Sequence, residues 1–73
     1  MIRGDLVVCD NKIFEVDTVE SELVRGIHGT IVEIHSGEFK MFPLQQLGWV
    51  FPRKSCKMAN YEETIQYMKI KTV

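Results

Sequence analysis

Cys9, His28, His35 and Cys56 are the four side chains of this sequence best suited to ligate zinc, and four is the number a structural zinc site requires. Their spacing argues against it. Compact zinc modules draw two ligands from one short knuckle, whereas His28 and His35, the nearest pair, fall on opposite faces of any single strand that carries both. No metal and no cofactor are expected. Cys56 also invites a nucleophile reading, because Lys54 and Lys57 stand beside it and neighbouring cations favour the thiolate. A catalytic thiol further needs a base, an orienting group and a closed pocket, and so small a domain has little room for them. The chain reads as a non-enzyme.

The remaining constellation is the stretch "GWVFPRKSCK", in which two aromatics, Trp49 and Phe51, run directly into Arg53, Lys54 and Lys57. An aromatic anchor ringed by cations can dominate the energy of a protein interface or stack a nucleic-acid base. These five residues are the candidate partner-binding set. A second candidate is an acidic docking face made by Glu15, Asp17, Glu20 and Glu22, since clustered negative charge steers cationic partners. Charge is segregated along the chain: three cations and eight anions precede residue 39, and six cations and two anions follow. The total is only -1, which argues against general attraction to polyphosphate and leaves a local basic patch open.

Positioning these groups falls to one small domain of 73 residues, with hydrophobic residues at 45% and charged residues at 26%, near ordinary globular values. No repeat, low-complexity tract or linker is visible. The longest unbroken apolar run is Leu6 to Cys9, so neither a membrane span nor an export signal is expected. With two cysteines in such a chain, reduced thiols in a cytoplasm are the expectation.

The first two thirds consist of short β-branched and aromatic runs between turn residues. "DLVVC" is the first expected strand, followed by a turn at "DNK". "KIFEVDTV" alternates, with Phe14, Val16 and Thr18 on one face and Glu15 and Asp17 on the other. "ESELVRG" reads as a polar loop closing on Gly26. "HGTIVEIHS" places Thr30, Val32 and Ile34 opposite Ile31, Glu33 and His35. "FKMF" is a strand ended by Pro43, "PLQQLG" one turn of 3₁₀ helix, and "WVF" a last strand stopped by Pro52. In that strand Val50 is expected inside, with Trp49 and Phe51 at the surface or under a C-terminal helix. The tail changes period: Asn60 and Glu63 form a capping-box pair, and Tyr61, Ile65 and Met68 make an apolar stripe over a helix at 60–70. The rival is a strand over "IQYMKIKTV".

The order of features in "RGIHGTIVEIHSGEFKMFPLQQLGWV" resembles the KOW and SH3-like small-barrel group. A glycine, Gly29, precedes an alternating strand (Ile31, Val32, Ile34); then come a glycine turn at Gly37, a second strand (Phe39, Met41), and "LQQL" before a short final strand. "IRGDLVV" is similar to the first strand of that group, so the likeness spans residues 2 to 51. The resemblance implies a mainly β fold: an SH3-like five-stranded barrel over 2–57 with the helix packed on it. The expected core is Leu6, Val8, Phe14, Val16, Val32, Ile34, Phe39, Met41, Leu47 and Val50. KOW domains contact RNA, DNA or protein, and other SH3-like barrels are docking subunits. A protein-docking module that regulates or assembles a larger complex is the expected function, with a KOW-like RNA- or DNA-binding module as the alternative.

Overall fold

The computed structural model describes residues 1–27, 29–35, 38–41 and 49–71. They form a mainly β protein of antiparallel strands with one C-terminal helix. The strands are β1 (Leu6–Cys9), β2 (Lys12–Val19), β3 (Leu23–Gly26), β4 (Val32–His35), β5 (Glu38–Met41), β6 (Val50–Pro52) and β7 (Cys56–Met58). A 3₁₀ turn, Arg53–Ser55, joins β6 to β7, and the helix α1 covers Tyr61–Lys71. The expected 3₁₀ turn at 43–48 and the core position Leu47 lie outside the described residues, as do the side chains of Phe39 and Met41.

β1 and β2 make a hairpin because two residues, Asp10 and Asn11, separate the paired Cys9 and Lys12. Asp10 takes the positive φ, 56°, that a two-residue hairpin turn demands and that aspartate tolerates. β2 is long enough to serve two partners. Its first half pairs with β1 on one side and β4 on the other, and its second half pairs with β3. The β2–β3 register slips between Val16 and Thr18, the mark of a bulge. That slip shifts the alternation by one, so Phe14 and Val16 are buried, Thr18 is exposed, and Val19 returns to the apolar side. The expected inward Thr18 is corrected on this ground.

The described residues hold two more strands than the five expected. "LVRG", read as loop, is β3: Val24 is fully buried while Leu23 and Arg25 on either side are exposed. "CKM" is β7, paired with β1. The strand path is β5-β4-β2-β1-β7, with β3 branching from β2 and β6 pairing β3. No ladder among the described residues closes the sheet. The chain itself, running from β6 through the 3₁₀ turn into β7, spans the two branches.

Both faces of the β1–β2 hairpin are buried, which is why "LVVC" and the pair Ile13–Phe14 are apolar at successive positions. One face, with Val7, Cys9, Phe14, Val16, Val24, Ile31 and Phe51, forms a core between the sheet branches. The other, with Val8, Ile13 and Val32, meets Tyr67 of α1, and Leu6, Ile34, Ala59 and Ile70 border it. Gly26 sits where a Cβ would lie 3.0 Å from the Phe14 ring, so any side chain at this point of β3 would press on that buried ring.

The helix begins as expected. Asn60 Oδ1 accepts from the Glu63 N–H at 2.8 Å and Glu63 Oε1 accepts from the Asn60 N–H at 2.9 Å, a complete capping box. Its inward face is different from the apolar stripe. Tyr61 is 80% exposed and Met68 54%, while Tyr67 is buried. The Tyr67 hydroxyl donates to Glu15 Oε2 at 2.7 Å and lies 3.1 Å from the Thr30 carbonyl oxygen. Lys71 Nζ reaches the same carboxylate at 3.8 Å. A polar anchor, two groups reaching one carboxylate, orients the helix in place of the stripe.

Candidate functional site

The five candidate partner-binding residues do not form one patch. Phe51 is only 7% exposed and stacks on Phe14, ring centroids 4.2 Å apart, inside the core. Trp49 is half-buried, stacked on Phe51 at 5.9 Å. The expected orientation is therefore reversed. Val24 opposes Phe51 and Arg25 opposes Val50 across the β3–β6 ladder, so Phe51 points inward with Val24, and Val50 shares the outer face with Arg25. Neither aromatic lies in the Tyr67 core under the helix.

Arg53 and Lys54 are exposed on the 3₁₀ turn, and Pro52, extended at φ -61°, leads into it. The turn is pinned to the start of β3: the Arg53 N–H donates to the Glu22 carbonyl at 2.9 Å and Arg53 Nη1 to the Glu20 carbonyl at 3.2 Å. Between these segments runs an open cleft of about 690 Å³, lined by Ser21, Glu22, Leu23, Pro52, Arg53, Lys54 and Cys56. Leu23, 39% exposed, is the large apolar side chain of its wall. Lys57 does not belong to it. Lys57 opposes Val8 in the β1–β7 ladder and so points to the helix-bearing face, opposite to Cys56.

The acidic candidates are spread along β2 and beyond it, and three of them are paired. Glu15 takes Tyr67 and Lys71, Asp17 takes Arg3, and Glu20 takes Arg25 at 3.1 Å. Glu22 is exposed at the cleft. By contrast Arg53, Lys54 and Lys57 have no carboxylate partner among the described residues.

Of the four zinc-ligand candidates, Cys9 and Cys56 meet as direct partners across β1 and β7, both as free thiols. His28 and the side chain of His35 lie outside the described residues. Among the described residues no group of three or more His, Cys, Asp or Glu could hold a metal. The Cys56 thiol is pushed up to about 11, chiefly by burial and then by Cys9, so the lysines beside it in sequence do not activate it. Burial, and next Asp10, raise Cys9 as well. Such thiols are poor nucleophiles at neutral pH.

The sequence reading missed Leu23 because it placed it in a loop; the alternation of Leu23, Val24 and Arg25 was the available signal, and nothing in the sequence marks Ser21, which lies in the bend before β3. No helix among the described residues is long and apolar enough to cross a membrane. No family model matches this chain, and neither does any curated protein or solved structure.

Proposed function

We propose that this chain is a small, non-enzymatic docking module of SH3-like barrel type that receives a short acidic segment of a protein partner in the cleft between Leu23 and Arg53–Lys54. The observation that carries this reading is the pair of exposed cations, without a carboxylate partner among the described residues, beside an exposed leucine in a concave surface. A segment placing an apolar side chain on Leu23 and carboxylates against Arg53 and Lys54 would bury apolar area and gain charge complementarity. The small-barrel assignment, and with it the resemblance to the KOW and SH3-like group, is supported by the β7-β1-β2-β3-β6 ladder series and the 3₁₀ turn between β6 and β7.

The alternative, RNA or DNA binding, is favoured by the same exposed cations and weakened by the aromatics. Phe51 has no free face and Trp49 has lost much of its own to the core, so a stacking platform is missing where one would serve. Fluorescence anisotropy with a glutamate-flanked leucine peptide and with single-stranded RNA, each over a salt series, separates the two. Docking predicts peptide binding with a shallow salt dependence. Binding of RNA alone, with log K falling by about 0.7 per log salt for each phosphate contacted, would replace it with the nucleic-acid reading.

A further inference from the structure

Cys9 and Cys56 stand directly opposite one another in the β1–β7 ladder, and the hydrogen bonding around them identifies the kind of pair they make. The Ala59 N–H donates to the Leu6 carbonyl at 3.0 Å, one step beyond the paired Val7 and Met58. Leu6 with Ala59 is thus a hydrogen-bonded pair. Alternation along an antiparallel ladder then makes Val8 with Lys57 hydrogen-bonded and Cys9 with Cys56 non-hydrogen-bonded. A second observation agrees: the Cys56 N–H donates to the Arg53 carbonyl, turned out of the ladder. Non-hydrogen-bonded partners have Cα atoms about 4.5 Å apart and side chains on one face, within the span of roughly 4.4–6.8 Å that a disulfide bridges. Both side chains enter the same core, and each thiol is close enough to perturb the ionisation of the other.

We infer that Cys9 and Cys56 are a redox-responsive pair that low-molecular-weight disulfides convert to a cross-strand disulfide, stapling β7 to β1. Cys56 is half-buried and Cys9 only 1% exposed, so Cys56 meets the oxidant first. Its thiolate attacks one sulfur of the small disulfide, whose S–S bond breaks and releases one thiolate, leaving a mixed disulfide on Cys56. The Cys9 thiolate then attacks Cys56 Sγ and expels the second small thiolate. The protein loses two electrons and two protons; the small disulfide is reduced to two thiols. Because both protein thiols hold their protons tightly, the reaction is slow at neutral pH and accelerates with alkalinity. Cys56 also lines the Leu23–Lys54 cleft, so the staple fixes one wall of it. The inference does not depend on what that cleft binds.

The test is to incubate the native chain with oxidised glutathione and follow intact mass, free thiols after denaturation, and the thermal midpoint. The expected product is monomeric, has lost two hydrogens, retains no glutathione, melts higher by roughly 10 °C, and returns to the dithiol with dithiothreitol. A stable glutathione adduct, a disulfide-linked dimer, or two thiols still titratable would each overturn the pair. Cys9→Ala is expected to trap one glutathione on Cys56. Release of that adduct without Cys9 would contradict the resolving step.

Discussion

The carboxylates of β2 and the cations after β6 are both charged and surface-accessible, yet the fold uses them differently. Glu15 and Asp17, with Glu20 just past the strand, are engaged by Tyr67 and Lys71, Arg3 and Arg25, whereas Arg53 reaches only a backbone carbonyl and Lys54 and Lys57 have no carboxylate among the described residues. Glu15 orients the helix; of the cations, only Arg53 ties one segment to another, through the Glu20 carbonyl, and Lys54 and Lys57 hold no carboxylate among the described residues. Charge engaged within the fold has its consequences in stability, and charge left open at a concave surface has its consequences in binding. The exposed ion pairs contribute little even so, since surface pairs are worth about 0–1 kcal/mol.

That contrast can be broken or sharpened at several sites. The largest effect is expected at Phe51, which ties the cationic turn to the core: Phe51→Ala should cost about 3–5 kcal/mol in denaturant unfolding, much of the stability of so small a domain. A loss below about 1 kcal/mol would mean the aromatic is a surface anchor after all. Tyr67→Phe comes next, removing the hydroxyl shared by Glu15 and Thr30, with an expected cost of about 1 kcal/mol and loosened helix amides in hydrogen exchange.

Alkaline pH probes the buried acids from another side. Cys56 rises from 9.0 to about 11, chiefly through burial, so the native state keeps a proton that the unfolded chain gives up sooner. Its contribution is complete below pH 9 and is lost as the pH climbs through 11. Tyr67, raised by burial and by Glu15, has the same sign from pH 10 upward. Stability should decline through this window, and Cys56→Ala should flatten the first part of the decline. The smallest stability effect is expected at Lys54: Lys54→Gln should shift unfolding by less than about 0.5 kcal/mol.

These predictions rest on features of unequal legibility. β1, β2 and the Asn60–Glu63 cap were readable because each is local: alternation, a two-residue turn, and a side chain three positions from its partner. β3 was not, since its buried content is Val24 alone, and its identity as a strand comes from pairing with β2 and β6. Missing β3 reversed Val50 and Phe51, because Val24 is what fixes the inward side of β6. The helix face was misjudged for a different reason: its anchor is a tyrosine hydroxyl on a distant carboxylate, which apolar periodicity cannot register. The Arg53–Lys54 half of the site was legible as a run of cations; Leu23, brought to it by the β3–β6 ladder, was not.

The most direct test of the division between engaged and open charge is the double variant Arg53→Gln with Lys54→Gln, measured for thermal midpoint and for affinity to the glutamate-flanked leucine peptide in the same preparation. Docking at the cleft predicts a midpoint within a few degrees of the parent and an affinity at least about tenfold weaker, a difference of about 1.4 kcal/mol. A midpoint that collapses while affinity per folded molecule is unchanged would contradict it, placing these cations in the fold and the binding face elsewhere.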